Sequence, residues 1–285
     1  MLNSKFKTGL ILEGGAMRGM FSSGVIDVLM ENHIRFDGAV GISAGATFGC
    51  NYKSHQIGRA IRYNKKYSKD PRYCSIRSLL KTGDLYGADF CYHAIPDELD
   101  VFDREAFASD PMEFYVGATD VETGRAVFHL CSDGGPDDIE WMRASASMPV
   151  VSKPVTIDDK LYLDGGMSDS VPYQFFEDKG YNRNVIILTQ PKGYQKKPAS
   201  KFYGILLRKY PSIAKAVLMR HEMYNRQMRE INEREESGVS IVIRPPVSLG
   251  IKRTEKNPDA LERVYQIGRK EAERRLEDVK RFLMQ

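Results

Sequence analysis

The stretch from Gly9 to Gly49 constrains the fold of this chain more than any other part of the sequence. Two apolar runs, residues 9–12 and 36–42, each lead into a glycine-containing turn, and a predicted helix follows each turn. This strand–helix–strand–helix order indicates a parallel sheet covered by helices. Ligands of such sheets bind outside the carboxyl ends of the strands, and both turns fall at those ends.

The second turn, residues 41–45, has the G-x-S-x-G pattern of a nucleophile elbow. An elbow presents its serine, here Ser43, on a strained corner with a helix N-terminus behind it. Glycines are needed on both sides because a Cβ would collide with the neighbouring strand or helix. The first turn, residues 13–19, is a glycine-rich loop that can aim several backbone N–H groups at one negative atom.

Far downstream stands a third short motif, Asp164-Gly165-Gly166, an acid on a tight turn. The three motifs in this order resemble the patatin-like phospholipase family, over roughly residues 6 to 190. Residues 143–149 also resemble the small-residue stretch that precedes the acid in that family. Two positions depart from the family pattern: Glu13 replaces the usual aspartate, and Ala16 replaces the third glycine of the loop.

The resemblance implies a Ser-Asp dyad, in which Ser43 attacks an acyl carbonyl and Asp164 accepts the serine proton. A carboxylate is a weaker base than imidazole near neutral pH, so the site must supply further stabilisation. The positive end of the helix after Ser43 is one source. The loop N–H groups could form an oxyanion hole, where one donor is typically worth about 3 kcal/mol. The expected donors are Gly14, Gly15 and Ala16, with Arg18 in a supporting role.

Other chemistries fit the sequence less well. Of five histidines, only His221 follows Asp164, and it lies in a predicted helix, which disfavours a Ser-His-Asp triad. A dinucleotide site needs glycine where Ala16 stands, and no Gly-Lys-Ser/Thr follows the loop to make a P-loop. The four cysteines form no C-x-x-C pair, and no His or Cys pair has ligand spacing, so free thiols and no metal site are expected.

We therefore expect a serine lipid acyl hydrolase, of phospholipase A or lysophospholipase type, that works through an acyl-Ser43 intermediate without a cofactor. Its partner would be a lipid or lysophospholipid substrate rather than nucleic acid. Two alternatives stay open: an acyltransferase with the same dyad, and a lipid-binding regulatory protein that lost turnover, an idea supported by Glu13 and Ala16. The sequence does not indicate the oligomeric state.

The composition and the charge distribution indicate where in the cell the protein is expected. Apolar residues make up 42% of the 285 residues and charged residues 28%, which is ordinary for a soluble globular protein. With no signal-peptide pattern and no apolar run long enough to span a bilayer, a cytoplasmic or peripherally membrane-associated protein is expected. Residues 59–81 carry eight cations and one acid, which indicates either a solvated face or a surface for anionic lipid headgroups.

The whole chain is expected to form a three-layer α/β/α fold with a mostly parallel central sheet. We divide it into a catalytic core, residues 6–195, and a mainly helical C-terminal extension, residues 196–285, packed on the core. Residues 201–229 are basic and amphipathic, as in helices that pack on a core or in a flap that meets lipid. A strand is expected near residues 240–244, and Asn257 should cap a final helix that docks one apolar face on the domain.

Overall fold

A computed structural model describes residues 6–284, in which eight strands form one sheet. The strands are β1 Lys7–Leu12, β2 Gly38–Ile42, β3 Glu113–Asp120, β4 Ala126–Cys131, β5 Val155–Ile157, β6 Lys160–Asp164, β7 Tyr181–Ile187 and β8 Ser240–Ile243. The α-helices are α1 Gly19–Glu31, α2 Ala44–Lys53, α3 Arg59–Tyr67, α4 Ile76–Thr82, α5 Arg104–Ser109, α6 Pro136–Ala146, α7 Tyr173–Asp178, α8 Phe202–Leu206, α9 Pro211–Glu236 and α10 Pro258–Met284. Single 3₁₀ turns span Ala16–Arg18 and Gly165–Met167, and a π-type helix spans Phe90–Leu99.

The centre of the sheet is parallel. Strands β3, β2, β1, β7 and β8 lie side by side in that order and in the same direction, while β4, β5 and β6 are antiparallel to their neighbours. Strand β2 is buried along its whole length and β1 over its last four residues, which explains the apolar runs at these positions. The mostly parallel sheet flanked by helices confirms the predicted α/β fold class.

The two strands that end at the serine and the acid approach each other along one edge of β3. Strand β2 pairs with Glu113–Gly117 of β3, and β6 pairs with the residues that follow, Ala118–Asp120. Strand β4 pairs with Phe114–Thr119 along one edge of β3, so β2 and β6 must both lie along its other edge. They run in opposite directions there, so the end of β2 and the end of β6 meet head to head.

The structure adds detail in two regions, residues 59–81 and Phe90–Leu99, and it bears out the predicted cap at Asn257. The basic stretch at residues 59–81 forms two helices, α3 and α4, separated by a turn at Asp70 and Pro71. The π-type helix at Phe90–Leu99 was not predicted; it contains Pro96, which removes a backbone donor and masks a helical pattern. The predicted cap of the last helix is present, since the Asn257 side chain accepts a hydrogen bond from the N–H of Asp259 at 3.0 Å.

Candidate active site

Ser43 stands on a strained turn between β2 and α2. Its backbone has φ 55° and ψ −121°, a conformation that side-chain-bearing residues rarely adopt. A Cβ on Gly41 would lie 2.3 Å from the carbonyl oxygen of Gly45, and a Cβ on Gly45 would lie 2.3 Å from that of Leu12. The two glycines of the pattern therefore allow α2 to begin directly against the sheet. This close packing holds Ser43 in place at the carboxyl end of β2.

A buried serine on α6, Ser145, connects the elbow to β3 through two hydrogen bonds. The Ser145 hydroxyl accepts a hydrogen bond from the Ser43 N–H at 2.8 Å and donates one to the Gly117 carbonyl oxygen at 2.6 Å. Ser145 has no exposed surface, so water cannot replace either bond. The small-residue stretch at residues 143–149 thus includes a side chain that ties the elbow to β3.

Replacing Ser145 with alanine should lower kcat by roughly tenfold or more, because a buried unsatisfied donor or acceptor costs about 1–3 kcal/mol and the elbow can shift to satisfy it. KM should change little, since Ser145 does not line the cleft. Steady-state kinetics on an ester substrate measures both constants. Ser147→Ala is the matched control, because the Ser147 hydroxyl donates only to the Arg143 carbonyl. Equal losses in both variants would contradict a positioning role for Ser145.

Asp164 is a buried carboxylate aimed at Ser43. Its Oδ1 accepts a hydrogen bond from the Gly166 N–H at 2.8 Å, and Ser43 lines the same cleft as this carboxylate. The backbone is held on both sides, by the Ser147 carbonyl and by the Thr119 hydroxyl. Burial raises the pKa of Asp164 above its ordinary value, while the Arg220 charge and the nearby Ser43 hydroxyl oppose the rise. A raised pKa makes this carboxylate a better proton acceptor.

If Asp164 is the base that the motifs predict, the rate of ester hydrolysis should depend on pH, because the carboxylate accepts a proton only when ionised. Since burial raises its pKa, kcat/KM should fall on acidification at a higher pH than an ordinary aspartate would give. Arg220 favours the ionised form, so Arg220→Gln should move this acid limb to still higher pH. The check is a pH–rate profile with an uncharged ester. Arg226→Gln, an exposed cation on the same helix, is the control. If the acid limb of the pH–rate profile does not move in Arg220→Gln, the assignment of this limb to Asp164 is wrong.

The glycine-rich loop lies directly against the elbow. A Cβ on Gly14 would lie 2.8 Å from the Cβ of Ser43, so the loop can approach only where it carries glycine. Among residues 6–284, no acceptor is bonded to the N–H groups of Gly14, Gly15 or Ala16. Ala16 adopts φ 50°, a left-handed conformation that glycine takes at lower energy. The loop thus keeps its turn without the third glycine, at the expense of local strain.

Glu13 anchors this loop rather than facing the serine. Its side chain is buried and accepts hydrogen bonds from the Thr189 N–H at 2.6 Å, the Thr189 hydroxyl at 3.1 Å and the Tyr224 hydroxyl at 2.8 Å. These bonds connect the loop to the end of β7 and to α9. The extra methylene of glutamate relative to aspartate is used to reach Tyr224, which no sequence pattern indicated.

Ser43, Asp164 and the glycine-rich loop line one cleft that opens to solvent. Of the predicted residues, all six line it: Gly14, Gly15, Ala16, Arg18, Ser43 and Asp164. Sequence reasoning missed three cationic residues that also line it, Lys196, Arg220 and Arg253. They lie on α9 or in loops far from the motifs, and no local pattern marks them.

The histidines lie elsewhere. All five are within the described residues, and none lines the cleft. His221 lies on α9, where its Nδ1 bonds the Leu218 carbonyl oxygen. His129, Cys131 and Asp138 do come together on β4 and α6, within ligand distance of one another. Asp138 is engaged by His129 and by three backbone N–H groups, and burial raises the pKa of the Cys131 thiol, so this cluster is a hydrogen-bonded structural unit.

The fold and the cleft define an α/β protein with a serine elbow, a buried acid and a glycine loop at the carboxyl ends of the strands. Residues 10–176 match the family model described as patatin-like phospholipase, and residues 210–284 match a domain of unknown function, DUF6363. The chain belongs to the patatin-like phospholipase family, which confirms the family expected from the motifs.

Relatives of this chain are distant. The uncharacterized protein YjjU of Escherichia coli K12 is 26% identical over 199 residues, which cover 65% of this chain and 52% of YjjU. The lysophospholipase nte1 of Aspergillus niger is 27% identical over 183 residues, covering 62% of this chain and 11% of nte1. The chain thus spans about half the length of the first relatives it matches, and far less of nte1. The structure of VipD from Legionella pneumophila aligns with 95% of this chain and 67% of its own at a TM-score of 0.43 and 12% identity, too distant to bear on function.

Proposed function

We propose that the protein is a serine lipid acyl hydrolase that cleaves fatty-acyl esters of phospholipids or lysophospholipids. The observation that carries the proposal is that an elbow serine and a buried carboxylate line one cleft beside three backbone N–H groups that have no acceptor among residues 6–284. The family supports a lipid substrate, as do relatives named lysophospholipase.

The chemistry follows from these positions. The Ser43 oxygen attacks the acyl carbon while its proton passes to Asp164, and the carbonyl oxygen becomes an oxyanion. The loop N–H groups of Gly14, Gly15 and Ala16 donate to that oxyanion, where charge develops in the transition state. Collapse of the intermediate breaks the ester C–O bond, and Asp164 returns the proton to the leaving alcohol. Water then repeats the sequence on the acyl-serine, which releases the fatty acid and restores Ser43.

The test is covalent labelling combined with product analysis. A fluorophosphonate probe should modify one peptide, containing Ser43, and the labelled protein should no longer hydrolyse a panel of acyl esters. An unlabelled Ser43 would count against the proposal and favour the lipid-binding alternative. Products formed with and without an added alcohol acceptor separate the hydrolase from the acyltransferase, because only the latter transfers the acyl group quantitatively to the acceptor.

We further propose that helix α4 brings the protein to anionic membranes. Half of the eight cations at residues 59–81 are held in ion pairs: Arg59 and Arg62 with Asp100, Lys65 with Glu262, and Arg72 with Asp70. The remaining cations are exposed: Lys66, Lys69, Arg77 and Lys81. Beside Arg77 and Lys81, α4 also exposes Ile76 at 71% and Leu80 at 83%. Exposed leucine and isoleucine next to unpaired cations fit a surface of anionic lipid.

None of the helices in the described part of the chain is both long enough and apolar enough to cross a bilayer. Contact with lipid through α4 would therefore be peripheral. This helix leads into a segment whose Leu85 N–H bonds the Val151 carbonyl and whose Tyr86 hydroxyl bonds the Arg253 carbonyl. Arg253 lines the cleft, so a membrane beneath α4 would lie close to the cleft.

The double variant Ile76→Ser/Leu80→Ser should bind vesicles that contain anionic lipid at least about tenfold more weakly, since burying one large apolar side chain is worth about 1.5–3 kcal/mol. Sedimentation with vesicles measures the affinity, and added salt should weaken wild-type binding. The matched control is Val239→Ser/Val247→Ser, which removes two exposed valines outside α4. Unchanged binding in the α4 variant, or a salt-independent affinity, would contradict the proposal.

A further inference from the structure

Four cationic side chains converge on the cleft that holds Ser43: Arg18, Lys196, Arg220 and Arg253. They come from separate parts of the chain, namely the glycine loop, the loop after β7, helix α9 and the loop between β8 and α10. Of the residues that the structure describes, two acids line the same cleft, Glu13 and Asp164, so positive groups outnumber negative ones four to two there. Three of the four cations lie beyond residue 195.

None of these four cations forms an ion pair or donates a side-chain hydrogen bond within residues 6–284. The Nε atoms of Arg18 and Arg220 are buried without a partner. Elsewhere arginines close to this region are paired, as Arg234 is with Glu177 and Arg244 with Glu235, both at 2.6 Å. The acids of the cleft accept hydrogen bonds from other groups, Glu13 from Thr189 and Tyr224, and Asp164 from the Gly166 N–H.

The cations are also held close together. A Cβ on Gly166 would lie 2.8 Å from an Nη of Arg220 and 3.0 Å from Oδ1 of Asp164, so this glycine makes room for the guanidinium beside the acid. The Lys196 ammonium lies 4.3 Å from the centre of the Tyr224 ring. Burial, followed by repulsion from Arg220, lowers the pKa of Lys196 to about 7. Unpaired positive charge crowded in this way destabilises the free protein, and a bound anion would relieve it.

We propose that Arg18, Lys196, Arg220 and Arg253 form a subsite for a phosphate group carried by the ester substrate, an inference that rests on the proposed hydrolase function. The reaction's own oxyanion carries one charge and can be held by the glycine loop, so it does not account for four cations. Phosphate offers several acceptor oxygens and up to two charges, and arginine forks bind it bidentately. Because the subsite and Ser43 share one cleft, the phosphate lies near the scissile ester.

The experiment compares two esters with the same acyl chain, a monoacylglycerol phosphate and the corresponding monoacylglycerol. Wild-type protein should prefer the phosphate ester in kcat/KM by at least about tenfold, as expected for charge-assisted hydrogen bonds of 1.5–3 kcal/mol. Arg220→Gln and Lys196→Met should each reduce that preference by about the same factor. The preference is a ratio, so a general loss of activity or of folded protein leaves it unchanged. Arg226→Gln on α9 is the control and should leave both rates as in the wild type.

A third ester carries a carboxylate in place of the phosphate. If it is hydrolysed as well as the phosphate ester, the subsite accepts anions in general and the phosphate assignment is wrong. If Arg220→Gln and Lys196→Met lower all rates equally, the cations serve the dyad rather than a substrate group, and the proposal is overturned.

Binding can be separated from hydrolysis with Ser43→Ala and inorganic phosphate. Calorimetry should detect phosphate binding at millimolar concentration, and a second substitution, Arg220→Gln or Lys196→Met, should abolish it. Binding without turnover of any ester in the wild type would retain the subsite and reject the hydrolase. Turnover of neutral esters without phosphate binding would retain the hydrolase and reject the subsite.

Discussion

Replacing Ser43 with alanine should reduce ester hydrolysis by a factor on the order of 10⁴ or more, the size of loss usual when a catalytic nucleophile is removed. Ser43 stands on the strained elbow in the cleft that Asp164 lines, whereas the hydroxyl of Ser170, which also lines the cleft, donates to the Gly166 carbonyl oxygen. Alanine keeps the backbone bond from position 43 to the Ser145 hydroxyl, so the fold should survive. Initial rates and a thermal melt measure the two effects.

Asp164→Asn should give a loss of similar order, since an amide cannot accept the serine proton. Ser170→Ala is the matched control. Ser170 also lines the cleft, but its hydroxyl donates to the Gly166 carbonyl oxygen at 2.7 Å. Its replacement by alanine should therefore lower the hydrolysis rate by less than about tenfold. Substantial activity in Ser43→Ala or Asp164→Asn would contradict the assignment of these residues as a catalytic dyad. An equally large loss of activity in Ser170→Ala would mean that any substitution in the cleft abolishes hydrolysis.

Replacing Gly268 with alanine should destabilise the protein by about 3 kcal/mol or more, because overpacking against a rigid neighbour forces backbone shifts. Helices α1 and α10 cross in contact at Gly24 and Gly268. A Cβ on Gly268 would lie 2.0 Å from the Phe21 carbonyl oxygen, and one on Gly24 would lie 2.1 Å from that of Tyr265. The separation of the helices would also strain the hydrogen bond from the Tyr265 hydroxyl to buried Asp27, 2.7 Å long.

The measurement is thermal unfolding, in which Tm should drop by roughly 6 °C or more for a chain of this size. Gly204→Ala is the matched control, a helical glycine whose added Cβ would find its nearest neighbour, Leu218 Cδ1, at 4.0 Å. It should be neutral or gain up to about 1 kcal/mol from helix propensity. Unchanged stability in Gly268→Ala would mean that the two helices can separate without loss of packing.

Much of the core and the candidate site could be predicted from short motifs. Each motif imposes a backbone geometry that few residues can adopt, as at Ser43 with φ 55°, and geometry of that kind is encoded within five or six residues. The strand that ends at Asp164 belongs to a hairpin with β5, whose turn residues Asp158 and Asp159 both adopt positive φ. The division of the chain at residue 195 stays a prediction; β8, which follows it, lies in the sheet beside β7.

The charge at residues 59–81 shows what a count along the sequence leaves out. Counted along the chain, eight cations meet one acid, yet Asp100 and Glu262 approach from elsewhere and neutralise three of them. The same limit hid Lys196, Arg220 and Arg253, whose positions in the cleft depend on where α9 and the loop before α10 pack. Ion pairs and cation clusters form between residues far apart in sequence, so composition within a window cannot reveal them.

By itself the sequence determined the local shapes: the elbow at Ser43, the glycine loop beside it, the acid turn at Asp164 and the alternation of strands and helices. Those follow from steric limits on the backbone, which act over a few residues. Only the tertiary structure decided which side chains surround the serine, because that depends on the packing of segments up to 210 residues apart, as between Ser43 and Arg253. It brings to the cleft four cations that have no ion-pair partner among residues 6–284, and it leaves every histidine outside.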